Sequence, residues 1–304
     1  MPRPLAGTVA LVAGATRGAG RAIAIELARA GAFVYASGRS SSVHGRSEID
    51  RPETIEQTGE LVAAVGDGAA VVVDHTEIPA VGALVDRIRE ERGRLDLLVN
   101  DMFGGDRYAQ FDKPLWEHDL HGGWRMMEMG VHSHLITAAL ALPLMLGGDD
   151  GLIVEMTDGT HEYNADFREG VGFYYDLVKA NVERIVVGLT HELSDRPVTT
   201  VAVTPGWLRS EQMLDGFGVT EEHWRDALAE HPGFAISETP TYVARGIAAL
   251  AADPDKTTLR GSVLTARQLA DRYDLTDVDG SRPDCWGQLA AEAAGLPATV
   301  DEFR

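Results

Sequence analysis

VALVAGATRGAGRAIAIELARAG, residues 9–31, is the stretch that decides the fold. An apolar run of strand length at 9–14 enters a glycine-rich loop, and residues 21–31 repeat apolar positions at helical spacing until a glycine stops them. Small residues between a buried strand and a helix let an anionic group approach the backbone at the helix N-terminus. The stretch therefore predicts the first strand–loop–helix unit of an α/β sheet.

The rest of the chain repeats this alternation of strand and helix. Further strands are predicted at 33–38, 69–74, 95–100, 152–157, 198–206 and 261–266, and further helices at 53–65, around 81–88, and at 124–146, 172–194 and 239–253. Strands that alternate with helices and are apolar throughout pair in parallel and are covered on both faces. The prediction is a Rossmann-type, doubly wound parallel sheet with helices on both faces, in a single domain.

Three segments fall outside the alternation. We expect a domain of residues 1–270 whose loops 101–123 and 207–236 follow strands and form the substrate walls, because ligands bind beyond the carboxyl ends of parallel strands. Residues 271–304 are predicted to be a tail that packs on the domain or on a partner subunit.

Charge and cysteine content limit the function classes. The 304 residues include 27 Lys and Arg against 47 Asp and Glu, a net charge of −20, which argues against a nucleic-acid or membrane partner. No apolar run reaches the ~18–20 residues of a membrane span. The single cysteine excludes an internal disulfide and fits a cytoplasmic location.

The glycine loop and the end of the second strand are the predicted cofactor site. The loop contributes Gly14, Thr16, Arg17, Gly18, Ala19 and Gly20. A dinucleotide without a 2′-phosphate usually meets an acidic residue at the end of the second strand, but here the chain reads Ser37-Gly38-Arg39-Ser40. The guanidinium groups of Arg39 and Arg17 suit a 2′-phosphate, so the expected cofactor is NADP(H); the alternative is two solvated arginines.

From about residue 5 to 266 the sequence resembles the short-chain dehydrogenase/reductase family. The loop fits the family's TGxxxGxG pattern with Ala13 in place of Thr, and Tyr175 with Lys179 matches YxxxK. Asn100 matches the first residue of NNAG, although Asp101, Met102 and Phe103 depart from the rest. The resemblance adds the following cofactor-binding residues to those above: Ser40, Asp74, His75, Asn100, Lys179, Pro205, Gly206 and Ser210. It also implies a homodimer or homotetramer built on helices 124–146 and 172–194.

Two positions depart from the family's catalytic pattern. The family places an Asn that supports a water relay near Gly130, and no Asn lies between 101 and 163. The family places a Ser at the end of the fifth strand, where this chain has Asp158.

Tyr175 and Lys179 are four residues apart, so on a helix they share one face. When hydride reaches a C=O or C=N carbon, the heteroatom needs a proton, and a phenol near a cation can supply it. We therefore expect an NADPH-dependent reductase with Tyr175 as acid and Lys179 as the cation that lowers its pKa. The alternative is a helix face with an extended lysine.

Asp158 leaves three interpretations open. In the first, burial keeps Asp158 protonated, so that it donates a hydrogen bond to the substrate as the serine would. In the second, Thr157 or Thr160 supplies the hydroxyl of the missing serine and Asp158 turns aside. In the third, Asp158 stabilises a cationic substrate. The expected substrate is a small-molecule carbonyl or alcohol, with an imine, iminium or amino-ketone as the alternative. A non-catalytic NADP-binding regulator and a lyase or isomerase that uses Tyr175 are further alternatives.

Other side chains near these motifs are candidate ligands. His161 and Trp207 join Thr157 and Thr160 as candidate substrate contacts. The histidines at 118, 121, 132 and 134 lack the HExxH pattern, so no metal site is predicted.

Overall fold

Seven parallel strands form one sheet in the computed structural model, which describes residues 3–304. The strands are β1 Val9–Ala13, β2 Phe33–Gly38, β3 Asp67–Val72, β4 Leu97–Asn100, β5 Gly151–Met156, β6 Val198–Thr204 and β7 Val263–Thr265. Their order across the sheet is β3-β2-β1-β4-β5-β6-β7. This is the predicted doubly wound Rossmann-type sheet.

Twelve α-helices accompany the strands. They are α1 Gly18–Arg29, α2 Ile55–Ala63, α3 Ile78–Arg92, α4 Leu120–Met127, α5 Ser133–Met145, α6 His161–Asn164, α7 Phe173–Glu192, α8 Glu211–Gly216, α9 Pro240–Ala252, α10 Ala266–Tyr273, α11 Cys285–Ala293 and α12 Val300–Phe303. No helix of residues 3–304 is long and apolar enough to cross a membrane.

The sheet buries apolar side chains on both faces because successive residues of a strand point to opposite sides. In β1, Ala10 and Val12 join the cluster under α1 and α9, whereas Val9 and Leu11 join the cluster under α3 and α5. All five residues of β1 are buried. This two-sided burial explains why the strands read as continuous apolar runs.

The third strand begins and ends two residues earlier than predicted. Its partner is β2 alone, and the pairing runs from Phe33 opposite Asp67 to Gly38 opposite Val72. The ends of β3 therefore follow the ends of β2 rather than the apolar run at 69–74. As a result Asp74 lies beyond the strand, where its Oδ1 accepts hydrogen bonds from the backbone and side chain of Thr76.

The predicted helix 124–146 is interrupted. A π-helical turn at Glu128–His132 separates α4 from α5. Gly130 lies in this turn, where an added Cβ would overlap the side chain of Val178 and lie 3.1 Å from the ring of Phe103. A π-helical turn contains about one residue more than an α-helical turn, and a single such turn hardly disturbs the spacing of apolar residues. The sequence therefore predicted one continuous helix.

The irregular segments contain short helices that periodicity did not predict. Loop 101–123 has 3₁₀ turns at Asp106–Tyr108 and Leu115–Glu117. Loop 207–236 contains α8 and two 3₁₀ segments. The tail contacts that loop, since Arg304 donates to the carbonyls of Ala235 and Ser237. The division into a domain of 1–270 and a tail of 271–304 stays a prediction.

Candidate active site

The strand order reverses between β1 and β4, and a cavity opens beyond their carboxyl ends. Such a reversal is where ligands bind in open parallel sheets. Ten of the predicted cofactor residues line this cavity: Gly14, Thr16, Arg17, Gly18, Ala19, Arg39, Ser40, Asp74, His75 and Ser210. Asp101, Met102, Phe103 and Asp106 line it as well.

Gly14 brings the glycine loop against the segment that follows β4. Its φ is +91°, a region that favours glycine, and an added Cβ would overlap the carbonyl of Asp101. The Asp101 carboxyl faces the start of α1, where a Cβ on Gly20 would lie 2.9 Å from Oδ2. Burial raises the pKa of Asp101 to about 6, against the opposing effects of Lys179 and the Gly20 N–H.

The N-terminus of α1 already contacts a second carboxylate. The Gly18 N–H donates to Oε2 of Glu211 at 2.9 Å, and Arg21 Nη1 pairs with Oε1 at 3.2 Å. Glu211 is the first residue of α8, in the loop after β6. Since helix N-termini attract anions, Glu211 lies where a cofactor phosphate would compete with it.

Arg39 projects into the cavity from the end of β2, as predicted. It pairs with Glu48 at 3.0 Å and with Asp74 at 3.5 Å. Glu48 also pairs with Arg125 at 2.8 Å. The predicted phosphate-binding arginine is therefore held by carboxylates, and a 2′-phosphate would compete with Glu48 for it.

The side chains of two predicted cofactor residues, His75 and Asn100, form hydrogen bonds with other residues of the protein. His75 is buried, with Nε2 2.8 Å from Ser37 Oγ and Nδ1 2.8 Å from Thr137 Oγ1, and burial lowers its pKa to about 4. Asn100 is fully buried and donates to Glu155 Oε1 at 2.8 Å. Its side chain bridges neighbouring strands, and its part in cofactor binding stays a prediction.

Tyr175 and Lys179 lie together on α7, next to the cavity wall. The ring of Phe103 separates them from the open cavity: it meets the Tyr175 ring edge-on at 5.5 Å. The Lys179 ammonium lies 3.7 Å from the centre of the Phe103 ring and 5.6 Å from that of Tyr175. Tyr174 packs instead against His118, as expected for a packing residue.

Asp158 approaches the Tyr175 hydroxyl directly. The phenol donates to Oδ2 of Asp158 at 3.2 Å, and Arg168 Nη1 pairs with the same oxygen at 3.2 Å. The Asp158 side chain is 36% exposed, whereas that of Arg168 is 4% exposed. Arg168 also pairs with Asp176 at 3.3 Å. The contact with Tyr175 opposes an Asp158 that turns aside, and the pairing with Arg168 places a cation beside its carboxyl.

Burial raises the pKa of Tyr175 well above its ordinary value, and the charges of Asp158 and Asp106 raise it further. Burial also lowers the pKa of Lys179. The direction for Tyr175 is opposite to that expected from the lysine alone, because burial and the charges of Asp158 and Asp106 outweigh the lowering effect of Arg168. The phenol is therefore protonated at neutral pH and holds a proton that it can donate.

The predicted substrate contacts are only partly near the pair. Thr157 donates to the Lys179 carbonyl at 2.9 Å, and Thr160 caps α6 by accepting from the Tyr163 N–H. His161 is exposed and pairs with Glu183. Thr157 thus uses its hydroxyl proton within the protein, whereas a substrate role for Thr160 or His161 stays a prediction.

Trp207 belongs to an apolar cluster around the buried Phe234, which includes Phe217 and Trp224. The preceding Pro205 accepts from the indole of Trp286 in the tail, and Gly206 lies against the buried carboxyl of Glu238. Ser210 caps α8. The loop after β6 thus packs on itself and on the tail beside the cavity.

A family model for short chain dehydrogenases matches residues 8–216. The chain is a short-chain dehydrogenase/reductase. It is 32% identical over 289 residues to mouse dehydrogenase/reductase SDR family member 1, covering 92% of this chain and 86% of that protein. It is 26% identical over 249 residues to the 7alpha-hydroxysteroid dehydrogenase of Clostridium sardiniense, covering 82% and 88%.

Solved structures share the fold of this short-chain dehydrogenase. A short chain dehydrogenase from Mycobacterium thermoresistibile has a TM-score of 0.75 at 20% identity, over 97% of this chain and 95% of that one. A protein described as an NAD(P) dependent gluconate 5-dehydrogenase from Beutenbergia cavernae, with NADP bound, has a TM-score of 0.67 at 24% identity, over 89% and 100%.

The residues of the cavity fit the NAD(P) that this family binds. Gly14 leaves no room for a side chain between loop and β4, and arginines flank the corner beyond β2. Across residues 3–304 no group of three or more His, Cys, Asp or Glu side chains is placed to hold a metal ion.

Sequence reasoning missed Arg168, Phe103 and Glu211. Arg168 is the one Lys or Arg in the acidic segment 155–170, which was a usable signal. Phe103 occupies the position of the glycine in the family's NNAG motif. At position 130 this chain has a glycine where the family has the larger Asn. Phe103 and Gly130 lie in contact, so the two departures are linked. Nothing local in the sequence marks Glu211, which meets α1 from a distant loop.

Proposed function

We propose that this chain is an NADP(H)-dependent reductase that transfers hydride between the nicotinamide and a small-molecule carbonyl or alcohol. The observation that carries the proposal is the half-buried Tyr175 with the Lys179 ammonium 5.6 Å from its ring centre, next to the cavity of the glycine loop. When bound, the cofactor supplies or accepts the hydride. Tyr175 donates the proton that the substrate oxygen needs, and the Lys179 ammonium stabilises the phenolate that remains.

The proposed preference for NADP(H) rests on Arg39 and on the missing acid at the end of β2. The NADP bound to the Beutenbergia cavernae structure supports it. Arg39→Ala should raise the Kd of NADPH about tenfold and that of NADH much less, because a charge-assisted hydrogen bond contributes roughly 1.5–3 kcal/mol. Arg46→Ala removes the same charge from an exposed site and is the control. Equal losses for both cofactors would contradict the preference.

Asp158 favours a second candidate, a cationic substrate such as an imine, iminium or amino-ketone. Arg168 is shared between Asp158 and Asp176, so these three side chains carry a net negative charge beside Tyr175. A protonated amine or iminium placed near Asp158 would balance it.

NADPH oxidation against two matched panels tests both candidates. One panel contains ketones and aldehydes, and the other contains cyclic imines and amino-ketones. Turnover of the neutral panel, lost in Tyr175→Phe by roughly 10²-fold or more, is the expected result. Preference for the second panel would favour the cationic substrate. NADPH binding without turnover of either panel would contradict both and favour a regulator, and activity that requires no hydride transfer would favour a lyase or isomerase.

A further inference from the structure

Among residues 3–304, the side chain that accepts the hydrogen bond of the Tyr175 hydroxyl is the carboxylate of Asp158, which reaches solvent. Its ring is enclosed by Phe103 and by the guanidinium of Arg168, whose carbon lies 5.6 Å from the ring centre. Its O–H points to Oδ2 of Asp158 at 3.2 Å. The Asp158 side chain is 36% exposed, so water reaches the carboxylate that accepts the hydrogen bond of the phenol.

The opposite side of the pair is closed by apolar groups. The Lys179 ammonium packs on the face of Phe103 at 3.7 Å, which is a cation–π contact. Beyond that ring lies Gly130, where an added side chain would overlap Val178. No polar side chain can be placed at position 130 without moving α7 or the ring, so a hydrogen-bonded path from Lys179 in that direction is obstructed.

Arg168 holds Asp158 against the phenol. Its Nη1 donates to Oδ2 of Asp158 at 3.2 Å and to the Asp158 carbonyl at 3.4 Å. Its backbone N–H and its Nε both donate to Oδ1 of Asp176, which ties the segment to α7. A guanidinium that is 4% exposed and anchored on both sides has little freedom, so it fixes the position of the Asp158 carboxyl.

We propose that the proton exchanged at Tyr175 enters and leaves through Asp158, and that Arg168 is the positioning residue for this relay. The inference rests on the proposed function. In the reducing direction the substrate oxygen takes the phenolic proton as the carbon receives hydride, and the phenolate then takes a proton that Asp158 has accepted from hydronium or a buffer acid in the solvent. In the oxidising direction the alcohol proton passes to the Tyr175 oxygen while the phenolic proton passes to Asp158 and on to water.

Titratable groups other than Tyr175 and Asp158 also face the relay. They approach from the loop after β4, from α7 and from the tail, and they are Asp106, Asp176, Lys179 and Cys285. Burial raises the pKa of Cys285 to about 11, so this thiol stays neutral in the working range.

Asp158→Asn tests the relay because an amide keeps the size of the side chain but cannot accept the proton. We expect turnover to fall roughly tenfold or more, with a larger solvent deuterium isotope effect, and Asp158→Ala to regain activity with added acetate. Asp166→Asn, an equal change at an exposed acid of the same segment, is the control. Unchanged turnover and isotope effect in Asp158→Asn would overturn the proposal.

Titration of the Tyr175 phenolate by ultraviolet absorbance, with Tyr175→Phe subtracted, gives a readout without turnover. Because the Asp158 charge raises the pKa of Tyr175, Asp158→Asn should move the phenolate signal to lower pH. An unmoved signal would overturn the coupling even in a chain that turned over no substrate. Lack of wild-type turnover with a moved signal would instead reject the proposed function and leave the Asp158–Tyr175 link intact.

Arg168 is tested through Asp158. We expect Arg168→Gln to lower kcat more than it raises KM and to move the Tyr175 titration to higher pH, with partial rescue by Arg168→Lys. Combined with Asp158→Asn, Arg168→Gln should add little, because both act on the same proton. Fully additive losses would show that Arg168 only supports the fold, and would overturn its positioning role.

Discussion

Asp101 is an acid whose surroundings oppose its charge. It stands in the segment after β4, facing the first turn of α1, and burial raises its pKa to about 6 from an ordinary value of 3.8. The folded chain therefore holds the Asp101 proton more tightly than the unfolded chain. The stability that this provides is complete below about pH 4 and is lost as the pH rises through about 6.

Asp101→Asn should consequently stabilise the protein at pH 7.5 by about 3 kcal/mol and leave its stability unchanged near pH 4. Urea denaturation of the cofactor-free chain at both pH values measures the difference. Asp166→Asn is exposed and should show no such pH dependence. A stabilisation of equal size at both pH values would mean that the carboxyl charge is not its cause.

Some residues of the site are brought together by their spacing in the sequence, whereas others meet only because of the fold. Tyr175 and Lys179 are one helical turn apart, so spacing alone brings them together. Arg168 reaches Asp158 from an irregular segment, and the direction of a side chain in such a segment depends on contacts that the sequence does not display. The sequence therefore identified Asp158 as unusual without revealing that an arginine holds it.

The π-helical turn between α4 and α5 depends on a glycine. Gly130→Ala should destabilise the protein by about 1–3 kcal/mol, because the new methyl group would overlap Val178 in a closely packed contact. Gly188→Ala on α7 is the matched control: an added Cβ there meets no atom within 4 Å. It should stabilise by roughly 0.5–1 kcal/mol through helix propensity. Thermal unfolding measures the stability of both variants. A Gly130→Ala variant as stable as the wild type would contradict the packing argument.

The contact between α8 and the start of α1 should weaken cofactor binding. In Glu211→Gln the Gly18 N–H faces no competing carboxylate, so the Kd of NADPH should fall about two- to fivefold, as expected for a charge worth roughly 0.3–1 kcal/mol at a helix N-terminus. NADPH fluorescence measures the Kd. Glu222→Gln removes an exposed charge from the same loop and should change nothing. Weaker binding in Glu211→Gln would mean that Glu211 assists the cofactor.

Whole elements were more predictable than their junctions. Strands buried on both faces are continuous apolar runs, and the predicted positions of β1, β2 and β4–β7 are confirmed to within a few residues. The ends of β3 depend on pairing with β2, and the break at Glu128–His132 depends on packing against α7 and Phe103. Neither influence is contained in the segment concerned.

At the scale of the whole molecule, apolar side chains remain exposed on α5 and α7. Leu135 is 45% and Val187 49% exposed. We expect them to lie in a contact between copies, so light scattering should give two or four times the chain mass of 32.7 kDa. Leu135→Glu with Val187→Glu should reduce the mass, whereas Val43→Glu, an exposed site near the cavity mouth, should not. A wild-type monomer would contradict the expectation.

The strand order has a consequence for how the chain acquires its shape during synthesis. Strands β1, β2 and β3 can pair as soon as they leave the ribosome, since they are consecutive in the sheet. The other edge of β1 must wait for β4, because Ala10 pairs with Leu97 across a long stretch of chain. Until then β1 presents an unpaired apolar edge, and nascent chains that stall before residue 97 should be the species most prone to aggregation and most dependent on chaperones.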